Sequence, residues 1–286
     1  MSAPTRSTLQ DLYFDSAGVR IRYVLAGDSG DPVVLLHSYS TDLDDLWVRT
    51  GVLPALAREY RVAAFDWRGH GRSGKPHDAG SYGREMTLDI VRLLDHLGWA
   101  RAHIVGYSLG GHLGAQLMAL HPERFITAIL GGAAGRREWT AQDAQQAEIE
   151  AAAMEQGSLA PQMLRLWPAD KPQPTVATLE RASAKFLAGK DCHALAAVRR
   201  SNAEQVVSAA EIAAARVPTL GIVGSGDPYL TAFEALKRTM PEMELVVIDG
   251  ATHASAPQYP EFVEAIRTFL RQNRGQTTFS RSTQSS

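Results

Sequence analysis

The chain has 286 residues and a formal net charge of −2, with 45% hydrophobic and 21% charged residues. This balance excludes the strongly basic surface that nucleic acids or anionic membranes attract, and the length is enough to bury the core of one or two domains. The single cysteine, Cys192, excludes an internal disulfide and a zinc site made of cysteines, and it is typical of a reducing compartment.

Short apolar runs alternate with amphipathic stretches along most of the chain. The runs predict strands at residues 19–25, 33–37, 62–66, 103–107, 126–131, 219–224 and 245–249. The stretches between them predict helices at residues 43–59, 84–97, 109–121, 230–240 and 260–272. Alternation of this kind predicts right-handed crossovers, and therefore an α/β fold with a mostly parallel sheet and helices on both faces.

The alternation stops between residues 135 and 216. This stretch is rich in Ala, Gln and Glu, contains four prolines and has weak strand signals, so it predicts several helices inserted between two core strands. We therefore expect a core of residues 1–134 and 217–272, interrupted by a helical unit at 135–216. Residues 273–286 are polar and rich in Ser and Thr, and they predict a disordered tail.

The sequence Gly106-Tyr107-Ser108-Leu109-Gly110 lies between a predicted strand and a predicted helix. In this G-x-S-x-G context a serine stands on a sharp turn, and glycines two residues away on each side avoid collisions. The turn would expose the Ser108 hydroxyl as a nucleophile and place the N–H groups near Leu109 where an oxyanion could form. The alternative is a Gly-rich turn that carries an ordinary serine.

A serine nucleophile needs a base, and the base needs an acid that orients it. His253 follows the last predicted strand, where a loop can reach the carboxyl edge of a parallel sheet, and it is the predicted general base. Asp227 ends another predicted strand in Gly226-Asp227-Pro228 and is the predicted acid. A surface-loop histidine and a plain turn aspartate remain the alternatives.

Together these residues resemble the α/β-hydrolase fold superfamily, in its carboxylesterase-like serine esterase branch. Three further motifs carry the resemblance: residues 35–40 (LLHSYS), 66–73 (DWRGHGRS) and 249–253 (DGATH). The chain order Ser108, Asp227, His253 is the one expected for this superfamily. The resemblance implies an eight-stranded, mostly parallel sheet, with residues 135–216 as a cap over the active site. It also implies that Tyr39 supplies the second oxyanion N–H, although Ser38 replaces the usual glycine before it.

The implied function is hydrolysis of a small or medium-sized carboxylic ester, with no cofactor and no metal. Ser38, Tyr107 and Trp167 are the candidate substrate-binding residues. Other candidates for the pocket or for the cap interior are Met154, Met163, Leu164, Leu166 and Phe186. Because the nucleophile is a serine, dehalogenase and epoxide hydrolase chemistry, which needs a carboxylate, is disfavoured.

Other activities remain open on the same three residues. They are lactone, thioester or C–C bond hydrolysis, perhydrolysis, and ligand binding without turnover. The first residues lack the apolar segment of a signal peptide, and no apolar run is long enough to span a bilayer. We expect a cytoplasmic protein, monomeric or homodimeric, whose partner is a small-molecule ester and not a nucleic acid or a membrane.

Overall fold

The computed structural model describes residues 9–275, which contain one eight-stranded sheet. In chain order the strands are β1 (Leu12–Ser16), β2 (Val19–Ala26), β3 (Pro32–Leu36), β4 (Arg61–Phe65), β5 (Ala102–Tyr107), β6 (Phe125–Gly131), β7 (Thr219–Gly224) and β8 (Glu244–Ile248). Their order across the sheet is β1-β2-β4-β3-β5-β6-β7-β8. The pairs β1–β2 and β2–β4 are antiparallel, and all other neighbouring pairs are parallel. The predicted mostly parallel, eight-stranded sheet is confirmed.

The seven strands predicted individually agree with β2–β8, with ends that differ by at most one residue. The sequence missed β1, a five-residue edge strand that pairs only with β2. Its residues alternate between buried and exposed positions, so it lacks the continuous apolar run that marked the inner strands. An edge strand of this length is difficult to distinguish from a loop by pattern alone.

Ten α-helices accompany these strands within the described residues. They are α1 (Val52–Leu56), α2 (Arg84–His96), α3 (Leu109–Leu120), α4 (Ala141–Glu155), α5 (Ala160–Arg165), α6 (Val176–Leu187), α7 (Cys192–Arg200), α8 (Ala209–Ala214), α9 (Leu230–Thr239) and α10 (Pro260–Gln272). Four of the five helices predicted outside the insertion agree with α2, α3, α9 and α10 to within one residue.

The prediction of one continuous helix over residues 43–59 is wrong. The structure has a five-residue π-helical turn at Asp44–Val48, and α1 begins only after Gly51. Gly51 has a φ of 83°, in the left-handed region, and its N–H donates to the Val48 carbonyl. A residue in this conformation ends a helix, and glycine adopts it without the penalty that a side chain would impose.

Two apolar cores lie on the two faces of the sheet, and β3 contributes to both. Val34 and Leu36 pack in the core that contains residues of α2, α3 and α9. Val33 and Leu35 pack in the core that contains residues of α1 and α10. Alternate side chains of a strand point to opposite faces, so a continuous apolar run requires cover on both sides.

The segment between β6 and β7 holds α4–α8, and its only β contact in the described chain is an isolated bridge between Arg136 and Val206. Two hydrogen bonds join this segment to the loop after β3. The Tyr39 hydroxyl donates to the Leu195 carbonyl at 2.8 Å, and Lys190 Nζ donates to the Ser40 carbonyl at 2.5 Å. We propose that residues 135–216 form the predicted cap over the loop after β3.

Residues 276–286, most of the predicted tail, lie outside the described residues.

A buried ion pair ties the loop after β4 to α2. Arg68 Nε and Nη2 donate to the two oxygens of Asp89 at 2.8 and 2.7 Å, and both residues are almost fully buried. The Ser16 hydroxyl donates to the same carboxylate at 2.5 Å. This bidentate pair connects the loop that begins at Arg68 to α2.

We expect Asp89→Asn to lower the free energy of unfolding by about 3 kcal/mol, because it leaves the buried Arg68 cation without its bidentate partner. The matched control is Asp95→Asn, which removes the exposed partner of Arg124 and should cost less than about 1 kcal/mol. Urea denaturation of both variants measures the difference. Equal losses would contradict a special role for the buried pair.

Candidate active site

Ser108 stands at the turn that joins β5 to α3. Its φ of 55° and ψ of −108° are rare for a residue with a side chain, and its N–H donates to the Gly131 carbonyl at 2.8 Å. A Cβ on Gly106 would lie 2.1 Å from the Gly110 carbonyl oxygen, and a Cβ on Gly110 would lie 2.0 Å from the Leu36 carbonyl oxygen. Only glycine fits at both positions, as the G-x-S-x-G spacing predicts.

The structure brings Ser108, Asp227 and His253 together at the carboxyl edge of the sheet. Ser108 Oγ lies 3.0 Å from His253 Nε2, and His253 Nδ1 lies 2.8 Å from Asp227 Oδ2. The second Asp227 oxygen accepts the Tyr229 N–H at 2.9 Å. Because an ionised carboxylate only accepts, Nδ1 carries the proton and Nε2 is free to accept the Ser108 hydroxyl. The arrangement can transfer a proton from Ser108 to His253.

The loop that carries His253 is held by Tyr107, the last residue of β5. The Tyr107 hydroxyl donates to the His253 carbonyl at 2.5 Å, and the two rings lie 5.6 Å apart. The Tyr229 ring lies at the same distance on another side of the imidazole. Burial raises the pKa of Tyr107 well above its usual range, so the hydroxyl remains a donor. These contacts fix the backbone and the ring of His253 beside Ser108.

The loop after β3 is shaped by His37. His37 Nε2 accepts the Trp67 N–H at 3.0 Å, so its Nδ1 carries the proton and donates to the Ser38 carbonyl at 2.8 Å. Burial lowers the pKa of His37, which is therefore neutral. The residue of this loop with a left-handed backbone is Ser40, with a φ of 59°, and not Ser38. Serine in place of the usual glycine at position 38 thus meets no backbone strain.

Tyr39 and Leu109 both line a narrow cavity next to Ser108. Leu109 is the first residue of α3, so its N–H has no acceptor within the helix. The roles of the two residues as oxyanion donors stay predictions.

An apolar cavity of about 600 Å³ opens beside Ser108 and His253. The three candidate substrate-binding residues, Ser38, Tyr107 and Trp167, all contribute to its wall, and their role in binding stays a prediction. Three of the five other candidates line the same cavity, namely Met163, Leu166 and Phe186. Of the other two, Met154 is buried and Leu164 is 40% exposed.

A second, polar pocket also reaches Ser108, and the sequence analysis did not predict it. A narrow space of about 20 Å³ next to Ser108 shares six residues with a wider chamber of about 390 Å³, namely His112, Arg136, Arg165, Arg199, Asn202 and Tyr229. The arginines come from distant parts of the insertion, at positions 136, 165 and 199, and the sequence analysis did not single them out. The sequence did contain one indication that Arg199 is buried. Arg199 follows Leu195 by four residues, so both side chains lie on the buried face of α7.

Asp249 and His70 belong to two of the motifs that carry the family resemblance, and neither is part of the hydrogen-bonded chain from Asp227 to Ser108. Asp249 is exposed, and its carboxylate accepts a long hydrogen bond of 3.4 Å from the Ser225 hydroxyl. The His70 ring packs 5.2 Å from His37, and burial holds the pKa of His70 well below the usual range.

Within residues 9–275, no helix combines the length and apolar character that crossing a bilayer needs. Nor do the described His, Cys, Asp and Glu side chains include a cluster of three able to hold a metal ion.

The sequence model of the alpha/beta hydrolase fold matches residues 31–204. The chain belongs to the α/β-hydrolase fold family. A dihydrolipoyllysine-residue acetyltransferase component of the acetoin cleaving system from Pseudomonas putida is 33% identical over 255 residues, which cover 88% of this chain and 66% of that protein. A putative carbamate hydrolase RutD from Pseudomonas syringae pv. syringae (strain B728a) is 29% identical over 237 residues, covering 76% of this chain and 86% of that one.

A solved carboxylesterase structure from the thaumarchaeon Nitrososphaera gargenis matches with a TM-score of 0.74 at 24% identity, covering 92% of this chain and 98% of the other. This similarity shows the shared α/β-hydrolase fold. The fold and the hydrolases among its relatives support hydrolytic chemistry, and the bond that is cleaved must be argued from the site.

We expect Gly110→Ala to disrupt the turn at Ser108, because the added methyl group would collide with the Leu36 carbonyl. The melting temperature should fall, and the Ser108 hydroxyl should react at least tenfold more slowly with a fluorophosphonate, since a misplacement of about 1 Å can cost 10²-fold. Gly114→Ala in the same helix is the control, because its nearest neighbour is a movable Leu130 methyl group at 3.2 Å. If Gly110→Ala behaves like this control, the close approach is not what positions Ser108.

Proposed function

We propose that this protein is a serine hydrolase that cleaves carboxylic esters of small or medium-sized molecules. The observation that carries the proposal is the continuous hydrogen-bonded chain from Asp227 through His253 to Ser108. A hydroxyl is a poor nucleophile by itself, and this arrangement supplies a base within reach and an acid that holds the base in the required tautomer.

In the proposed reaction, His253 Nε2 takes the Ser108 proton while Oγ attacks the ester carbonyl carbon. The carbonyl electron pair moves to oxygen, and the N–H groups of Leu109 and Tyr39 stabilise the resulting oxyanion by about 3 kcal/mol each. The intermediate collapses, the C–O bond breaks, and the alcohol leaves with the proton from His253. Water, deprotonated by the same histidine, then releases the acid and restores Ser108.

The identity of the nucleophile favours acyl transfer over the displacement of a halide or the opening of an epoxide. A serine forms an acyl ester with the substrate, and water cleaves that ester by attack at the carbonyl carbon. Displacement at an alkyl carbon with Ser108 would instead form an ether, which water cannot cleave by the same route. The position of Ser108 beside His253 therefore supports a carbonyl substrate.

The size and position of the apolar cavity support a substrate of moderate length. Its volume of about 600 Å³ is within the range of pockets that enclose small molecules. Helices of the proposed cap contribute Met163, Leu166 and Phe186 to its wall, so they would shield the acyl-enzyme from bulk water. Substrate choice would then depend on the cap and not on the three reacting residues.

The proposal is tested by the intact mass of the protein after incubation with a small fluorophosphonate, in native form and as Ser108→Ala. We expect one adduct on the native chain and none on the variant, because only an activated serine attacks the reagent at a useful rate. A panel of aryl esters, lactones and thioesters then identifies the bond cleaved. A well-folded native protein that forms no adduct would contradict the proposal and favour ligand binding without turnover.

The role of the acid is tested by Asp227→Asn. The amide favours the wrong imidazole tautomer, and ester turnover should fall by about 10³- to 10⁴-fold with the fold intact. Asp249→Asn is the control, because Asp249 lies four residues from His253 but is exposed and does not contact it. Steady-state kinetics measures both variants, and a loss smaller than about tenfold in Asp227→Asn would show that another group serves His253.

A further inference from the structure

The wall of the narrow space beside Ser108 is strongly cationic. Arg136, Arg165 and Arg199 all line it together with Ser108 itself, and no carboxylate does so. Its remaining lining residues are uncharged, apart from the ionisable but buried His112. Burial, reinforced by the cations of the neighbouring arginines, holds the pKa of His112 well below its usual range, so this histidine is neutral. Positive charge in this space therefore comes from guanidinium groups.

Two of the three arginines share one carboxylate. Arg165 Nε donates to Glu150 Oε1 at 2.5 Å, and Arg199 Nε lies 3.0 Å from Glu150 Oε2. Arg165 Nη2 also donates to Glu150 Oε2 at 3.5 Å. Arg165 further donates to the Tyr229 hydroxyl, and Arg199 donates to the Gln162 side chain. Glu150 is buried, and these cations hold its pKa below the usual value against the effect of burial. One negative charge thus faces two positive charges.

The third arginine, Arg136, makes no ion pair within residues 9–275, and its buried Nε has no hydrogen-bond acceptor. Its guanidinium lies 5.1 Å from the centre of the Trp139 ring. Burial, together with the cations of Arg199 and Arg165, lowers the pKa of Arg136 to about 10. Asp143, an acid in the wider chamber, is engaged in the N-cap of α4, where it accepts the Thr140 N–H at 2.8 Å.

A buried charge without a partner is costly. Proteins keep such a charged group where an ionic ligand of opposite charge pairs with it. A guanidinium with a free Nε–H presents the planar pair of donors that a carboxylate accepts. The space next to Ser108 holds little more than one water molecule, whereas the chamber beyond it, also lined by Arg136, is large enough for a carboxylate at the end of a short chain.

We propose that this pocket, which we call the arginine pocket (Arg136, Arg165 and Arg199), binds a carboxylate carried by the substrate. The inference rests on the proposed ester hydrolysis and specifies its substrate class. The ester bond lies at Ser108, an apolar part of the molecule occupies the apolar cavity, and a free carboxylate reaches Arg136. The substrate is then a monoester with a second, ionised acid group at one end.

A purely structural network would explain the Glu150 pairs but not Arg136, which pairs with no acid in the described chain. The two explanations also differ in what they predict for Glu150→Gln. If the arginines only hold the cap together, loss of this carboxylate weakens the site for every substrate. If the arginines bind an anion, Glu150 competes with it, and its removal increases the preference for charged esters.

The test compares the benzyl monoester of adipic acid with its uncharged isostere, in which an isopropyl group replaces the carboxylate. A second matched pair carries the carboxylate in the alcohol part. For the native protein we expect kcat/KM to favour the charged member of at least one pair by tenfold or more, which is the scale of one charge-assisted bidentate contact. The pair with the larger ratio identifies the part of the ester that occupies the arginine pocket.

In Arg136→Gln the charged-to-neutral ratio should fall about tenfold, mainly through KM, and in Glu150→Gln it should rise. Arg181→Gln, an exposed cap residue with the same change of charge, should leave the ratio as it is. Equal rates for both members of both pairs in the native protein would overturn the inference and leave ester hydrolysis standing. A fall of the ratio in Glu150→Gln would also overturn it. Failure to hydrolyse any ester, with no fluorophosphonate adduct, would overturn the proposed function itself.

Discussion

The parallel pairing of β3 and β5–β8 is the constraint on which the rest of this structure depends. Parallel strands end at the same edge of a sheet, so the residues that follow β5, β7 and β8 meet there although they are far apart in the chain. The glycines around Ser108 let α3 begin almost in contact with the end of β3. Ser108 therefore stands directly between a strand and a helix, and Asp227 and His253 lie in short segments that follow strand ends. This suits a site that must hold reacting atoms within a fraction of an ångström.

Burial divides the ionisable groups around this edge into two kinds. His37, His70 and His112 are all neutral because the charged form of an imidazole is costly away from water. They act as donors, acceptors and packing surfaces. The arginines of the insertion remain charged because their intrinsic pKa is far above neutrality. The positive charge beside Ser108 therefore comes from guanidinium groups and not from these three histidines.

Much of the fold could be predicted because its signals are local. Seven strands were visible as apolar runs, since a strand buried on both faces needs an apolar residue at almost every position. The edge strand β1 and the break at Gly51 were less visible. The first has a mixed pattern because one face meets solvent, and the second depends on a single residue that adopts a left-handed conformation within an otherwise helical stretch. Within residues 135–216, the sequence could not distinguish Met154, which is buried, from Met163, which lines the cavity.

The sequence by itself determined seven of the eight strands and the turn at Ser108, because each depends on residues that are neighbours in the chain and on steric rules that glycine and apolar runs obey locally. It also indicated the family, through short motifs whose residues are local. It also indicated Asp227 and His253 as candidates, through their places after predicted strands. Only the tertiary structure decided that these side chains lie within hydrogen-bond distance of one another and that Arg136, Arg165 and Arg199 converge beside Ser108. The physical reason is that these distances depend on how separate segments pack, and the local pattern that places Arg199 on the buried face of its helix does not show which pocket that face lines.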